Sequence, residues 1–286
     1  MDRNSVKNSI KIFLMLIPSL TILLSVYLYP FILAILISVV DSSGRLTLEH
    51  YSYVFTVYAQ DVVFTIAVCA LSALVSLLIS ISIASYIRLS LDEGFRKILN
   101  WIFRFPLFIP MVVVAQMMRT FLAPHGFLNT LLAQIGFIEL QEAPNLFDWR
   151  GLLIGFVWKQ TPFMALIILS GFAMVSDVHI DAARVLGAGR LYIVRRILLP
   201  MARGSIAIAF ALTFASNIGT FTLPYMIIGG AKPTTMTVIM AHRVTYFGDW
   251  SIANALGVIS YAVVGLFSIA YLREAVRAGV YERERV

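Results

Sequence analysis

Apolar residues run along this chain in six long blocks, near residues 12–38, 62–87, 100–121, 151–175, 204–228 and 252–273, parted by shorter polar stretches. Crossing roughly 30 Å of hydrocarbon takes about 20 helical residues, and every block reaches that length. The pattern predicts an all-α, polytopic membrane protein with six transmembrane helices. An even count puts both termini on one side. Basic residues that flank spans are retained in the cytoplasm, so their distribution assigns the sides. Sixteen of the 22 Lys and Arg residues, among them Arg3, Lys7, Lys11, Arg88, Arg96, Lys97, Arg104, Arg184, Arg203 and Arg273, fall on the side of the termini. Four, Arg45, Arg150, Lys232 and Arg243, fall on the other. Both termini are therefore expected in the cytoplasm.

Inside the blocks the pattern is uneven. The second block spaces Ser72, Ser76, Ser80, Ser82 and Ser85 among small apolar residues, the composition that lets helices approach closely in lipid. Pro106 and Pro110 should bend the cytoplasmic half of the third, and Arg119 near its outer end can snorkel to the headgroups. The fourth holds a polar knot, Trp158, Lys159, Gln160, Thr161 and Pro162. A lysine at that depth faces a cavity, pairs with a neighbouring helix or snorkels, and the sequence leaves the three open. The fifth is interrupted by Ser216, Asn217, Gly219, Thr220, Thr222 and Pro224, which free backbone groups that neighbours or a wet cavity must satisfy. Lys159, Gln160, Thr161, Ser216, Asn217, Thr220 and Thr222 are thus the candidate lining of a translocation path, with plain helix packing as the alternative. In the outer loops, Leu46, Leu48, Tyr51, Val54 and Phe55 have the spacing of a short interfacial helix, and Phe127, Leu128, Leu131, Leu132 and Ile135 that of another.

The one long polar interruption dense in arginine, Val178 to Gly204, lies between the fourth and fifth blocks. Ser176 or Asp177 can cap a helix there, and Asp181 lies in its first turn, where negative charge is favoured. Gly187 and Gly189 end it and turn the chain. A second helix is expected to run to Pro200, with Leu191, Val194, Ile197 and Leu198 on one face and Arg190, Arg195 and Arg196 away from it. Such a pair is too polar to span a membrane and too apolar on one face to sit free in water. It suits docking of a protein at the membrane surface.

Composition narrows the chemistry. With 60% hydrophobic and 13% charged residues, the chain lies far outside the soluble range and reads as a single membrane domain, residues 1–286. The net charge of +7 reports topology, because the cations flank spans with no aromatic-interleaved soluble face, and no nucleic-acid partner is expected. The start of the chain imitates a secretory signal but lacks a small-residue cleavage pattern, so an uncleaved first span is expected. Cys69, the sole cysteine, excludes a disulfide within the chain. His50, His125, His179 and His242 are scattered over different loops, and no P-loop, H-E-x-x-H or G-x-S-x-G motif occurs. No catalytic residue, metal site or resident cofactor is expected.

The spacing Asp181, Ala182, Ala183, three residues, Gly187, nine residues, Ile197, one residue, Leu199, Pro200 resembles the EAA loop of ABC importer permeases, with Asp in place of the usual Glu. The resemblance implies a type I ABC importer permease fold whose cytoplasmic coupling helices occupy about residues 177–203. It implies a bacterial inner-membrane assembly with a second permease subunit, homologous or identical, two ATP-binding subunits that hold the ATP and magnesium, and a periplasmic substrate-binding protein. Asp181, Ala182, Ala183, Gly187, Ile197, Leu199 and Pro200 would then couple this chain to the ATPase. The stretch GTFTLPYMIIGGAKPTTMTVIM followed by DWSIANALGVIS resembles the spermidine/putrescine permease group, whose relatives carry aminophosphonate, thiamine or ferric iron; a sugar or sugar-phosphate permease is the alternative. An ion-coupled secondary transporter would ordinarily place acidic or histidine relays inside its spans, and a noncatalytic scaffold would use the same docking loop without transport.

Overall fold

The computed structural model describes residues 15–41 and 43–283, with backbone alone at residues 140, 270 and 272–283. Arg3, Lys7, Lys11, Arg285 and the first residues of the first expected span lie outside the described residues. In chain order the helices are α1 (Met15–Ser38), α2 (Glu49–Val57), α3 (Ala59–Leu89), α4 (Glu93–Ile102), α5 (Met111–Leu122), α6 (Phe127–Gln134), α7 (Trp149–Ala173), α8 (Asp177–Val185), α9 (Arg190–Met201), α10 (Arg203–Gly219), α11 (Thr222–Ile227), α12 (Met236–Phe247) and α13 (Trp250–Arg283). Among the described residues there is no β-strand, only an isolated bridge between Val40 and Leu46. Four helices, α1, α3, α7 and the Trp250–Ile269 part of α13, are long and apolar enough to cross a membrane, and six spans result if each of two bent pairs counts as one.

The chain forms two compact units. One comprises the chain up to Tyr58 with Met240–Ile259. Here Ser38 Oγ lies 2.7 Å from the Tyr51 hydroxyl, joining the end of α1 to α2, and Arg243 donates to the Tyr53 hydroxyl at 2.7 Å and to that of Tyr58. The short helix expected from Leu46 to Phe55 is present in part as α2, which begins only at Glu49: Leu46 lies in the isolated bridge and Leu48 before the helix, both exposed, and Val54 is the buried residue of α2.

The second unit comprises Ala59–Ile239 and the residues from Ser260 onward. Its centre is α3 packed along α7, with α10 against both. The serine stripe explains the closeness: Ser72, Ser76 and Ser80 are fully buried beside Cys69, Ala73 and Ala84, and Ser80 Oγ donates to the Thr161 carbonyl at 3.0 Å. Gly171 of α7 lies so near α10 that an added β carbon would stand 2.6 Å from the Ser205 side chain.

One expectation needs correction here. The third span is more than bent: α4 gives way to a 3₁₀ turn at Phe105–Phe108, and the two halves of the span meet at 104°. Pro110 drives Ile109 into an extended conformation (φ −88°, ψ 124°), so one helix cannot run through. Arg119 is exposed, and its Nη1 donates to the Met226 carbonyl at 3.2 Å, near the end of α11. The fifth span breaks where expected, with Thr220 extended between α10 and α11.

Candidate functional site

Two groups of residues stand out, an elbow made by α8 and α9 and a polar seam among α3, α7 and α10. At the elbow, Ser176 is the N-cap of α8, its Oγ accepting from the Val178 amide at 3.3 Å. Gly187 takes φ +81°, the left-handed conformation that favours glycine. The Ala188 amide donates to the Ala183 carbonyl and the Gly187 amide to that of Arg184, both at 2.9 Å, which is the Schellman closure of a helix. Gly189 is different from the expectation: at φ −69° and ψ 160° it uses no conformation reserved to glycine.

The second helix runs through Pro200 to Met201, with a wide π turn at Val194–Leu198, and meets α10 at 77°. Leu191 is exposed rather than inward, and Ile193 takes the buried place with Leu198 because that turn shifts the helical register. Ile180 (2% exposed), Ile193 and Leu198 are the studs that fasten the elbow to the core formed by Met164, Ile168, Phe172 and Ala209. Ala183, Ile197 and Leu199 pack partly against the same core. Asp181, Ala182, Gly187 and Pro200 are exposed, and so are Val185 and Leu186, each at 87%. Val185 and Leu186 thus leave apolar surface exposed on an otherwise polar loop.

Sequence reasoning missed Arg88 as a member of this site, counting it only for topology. It lies in the last turn of α3 and its side chain is 19% exposed. Its Nε donates to the Phe172 carbonyl at 3.1 Å, its Nη2 to that of Val175 at 2.8 Å, and Nη2 lies 2.7 Å from the Asp177 carboxylate. Arg184 answers from the other end of α8, donating to the Leu89 carbonyl at 3.2 Å and to Asp181 at the same distance. Both ends of α8 are thus tied to the end of α3. No signal within one sequence reveals this, since the partners lie more than eighty residues apart.

The seam brings together most of the expected path residues. Gln160 Nε2 donates to Ser216 Oγ at 2.8 Å, Asn217 Nδ2 to Ser72 Oγ at 3.1 Å, and Thr220 Oγ1 to the Ser216 carbonyl at 2.7 Å. Thr161 Oγ1 donates within α7 to the Val157 carbonyl at 2.6 Å. Ser216 is exposed, Thr220 and Thr222 are half-buried, and Gln160, Thr161 and Asn217 are buried. Asn217 Oδ1, Thr213 Oγ1 and Ser76 Oγ are buried without a partner. Lys159 stands apart from the seam. Its ammonium donates to the carbonyls of Pro106 at 2.8 Å and Ile109 at 2.7 Å, filling the break in the third span.

At the opposite end of α7, Asp148 is the N-cap. Burial pushes its carboxyl up, but hydrogen bonds from the Arg150 side chain and backbone outweigh that and hold it below the ordinary carboxylate value.

The arrangement has relatives. Over 185 residues the chain is 29% identical to the sulfoquinovosyl glycerol transport system permease protein SmoG of Agrobacterium fabrum, a stretch covering 61% of this chain and 60%, less than two thirds, of that protein. It is 25% identical over 255 residues to the spermidine/putrescine transport system permease protein PotB of Haemophilus influenzae, covering 86% and 87% of the two. A bacterial ABC transporter involved in import of the acidic polysaccharide alginate contains a chain of the same fold, with a TM-score of 0.81 at 20% identity over 96% of this chain and 98% of that one. Residues 76–280, which hold the elbow, Gln160, Ser216 and Asn217 of the seam and every span after α3, match the family described as the binding-protein-dependent transport system inner membrane component, and the chain belongs to that family of ABC importer permeases.

Proposed function

We propose that this chain couples ATP hydrolysis by a separate subunit to passage of a small polar solute, with the elbow as the point of attachment. The observation that carries the reading is the elbow itself, which fastens Ile180, Ile193 and Leu198 into the core while leaving Asp181, Ala182, Val185, Leu186 and Gly187 outward. A short rigid helix tied at both ends moves as a body, and motion imposed on it tilts the spans to which it is fastened. The companion subunits are a second permease, two ATPases holding ATP and magnesium, and a periplasmic binding protein. The chain sits in a bacterial inner membrane, with elbow and termini in the cytoplasm.

The solute path follows the broken fifth span, with Ser216, Thr220 and Thr222 lining it and Gln160 behind them. Lys159, Thr161 and Asn217 hold the helices that frame it. The cargo is a polyamine or a related small polar solute, a reading supported by the likeness to the spermidine/putrescine permeases. A second reading, a sugar or glycoside, is favoured by the likeness to SmoG and to the alginate importer chain.

Reconstitution with the cognate ATPase and binding protein in proteoliposomes tests both levels. ATP-dependent uptake of labelled putrescine, with labelled glycosides idle, is the expected result. Glycoside uptake alone replaces the first cargo by the second, and solute accumulation driven by an ion gradient without ATP overturns the coupling reading.

A further inference from the structure

Between the end of α3 and the break in the third span lies a surface that the coupling reading does not use. Along α4 and the 3₁₀ turn that follows, Lys97, Asn100, Trp101, Arg104, Phe105 and Phe108 recur at three- and four-residue intervals, so they form one continuous helical stripe. They line a cavity of about 460 Å³. Every charged group on the lining is a cation. Arg104 Nη2 donates to Asn100 Oδ1 at 2.8 Å, which fixes the guanidinium, while its buried Nε has no acceptor. Glu93 reaches Lys97 only from the rim, at 3.5 Å and between side chains that are mostly exposed, a pairing that contributes little.

The other half of the cavity is aromatic and open: Trp101 is 76% and Phe108 83% exposed. A soluble anion would use the cations and leave those rings in water. A lipid uses both, phosphate on Lys97 and Arg104 and glycerol or acyl chain against the rings, the arrangement that basic amphipathic helices adopt at a membrane surface.

We infer that the stripe from Lys97 to Phe108 is a binding site for an anionic phospholipid, held by its phosphate at Lys97 and Arg104 and by its apolar part at Trp101, Phe105 and Phe108. The last turn of the stripe, Phe105–Phe108, carries the Pro106 carbonyl that Lys159 caps and is followed directly by that of Ile109, so an occupied site steadies the break between α4 and α5.

Native mass spectrometry of the assembled importer, delipidated and titrated with phosphatidylglycerol or phosphatidylcholine, reads the site directly. The wild type is expected to retain phosphatidylglycerol in preference. Each cation at an anionic lipid contributes about a factor of five, so Lys97→Gln with Arg104→Gln lowers that retention roughly thirtyfold while phosphatidylcholine is unchanged. Trp101→Ala lowers retention of both lipids. Lys97→Gln alone, on an exposed side chain, gives about a fivefold loss and keeps the inference testable if the double variant fails to fold. Equal retention by the wild type and Lys97→Gln overturns the inference. Competition by millimolar inorganic phosphate also overturns it in favour of a free-anion site, and failure of brominated phosphatidylglycerol to quench Trp101 in the assembly shows that a protein subunit covers the stripe instead.

Discussion

Replacing Gly187 separates what the elbow needs for its own fold from what it needs for a partner. The residue has φ +81°, and an added β carbon would meet nothing within 4 Å. Inside this chain the cost of a side chain is therefore conformational only, about 1–2 kcal/mol for an ordinary residue in the left-handed region and less for Asn, which tolerates it. Ala and Leu carry the same internal penalty, and Asn a smaller one. Against a docked ATPase the order changes, because bulk matters there: an overpacked contact costs about 1–3 kcal/mol, or roughly a 5- to 150-fold loss of affinity. Thermal stability in detergent should rank Asn above Ala and Leu. Retention of the ATPase on affinity-purified permease, and ATP hydrolysis stimulated by loaded binding protein, should rank Ala above Asn and Leu last. The two orders cross. If attachment and stimulated hydrolysis follow the stability order, with Ala and Leu equally poor and Asn near wild type, no protein surface presses on Gly187 and the docking assignment is refuted.

Arg88→Gln removes charge-assisted bonds worth about 1.5–3 kcal/mol each before solvent screening at exposed Asp177 is allowed for. The permease should still bind its ATPase but lose most of the stimulation of hydrolysis by loaded binding protein; Asp177→Asn, losing only the outer contact, should do less, and unchanged stimulation in Arg88→Gln shows that α3 does not receive the elbow's motion. Gly171→Ala puts a methyl group 2.6 Å from Ser205 Cβ and Oγ and should cost about 1–3 kcal/mol of stability. Ser205→Gly in the same chain removes both opposing atoms, and a melting temperature that fails to recover in the double variant contradicts the close approach of α7 and α10. Lys159→Met should raise hydrogen exchange from Val114 back to the break at Pro110 and leave cargo preference alone, whereas altered preference with unchanged exchange returns Lys159 to the path. Because the folded-state value of Asp148 is depressed, its carboxylate contributes stability fully above the ordinary value of 3.8 and loses it as pH falls through the lower folded value. Melting in that acid window should weaken more in the wild type than in Asp148→Asn, and parallel curves dismiss the carboxylate.

Block lengths and composition were sufficient to predict helices, spans and a membrane setting, because hydrocarbon demands about 20 apolar residues and satisfied backbone groups whatever the tertiary arrangement. The elbow was also legible, since Ser176, Gly187 and the apolar spacing after Gly189 are local signals for cap, turn and helix. Local signals stop at the element. Proline at 106 and 110 announced a bend, but only the packed chain shows a 104° break whose free carbonyls are filled by Lys159 from α7. The inward place of Ile193 in preference to Leu191 depends on a π turn that no fixed helical period anticipates. Arg88 and Arg184 join groups more than eighty residues apart, and Gln160 meets Ser216 in the same way. Sequence determined what each segment had to be in a membrane; the tertiary structure decided which polar groups face one another, because in lipid a buried hydrogen-bonding group takes the partner that packing brings within reach.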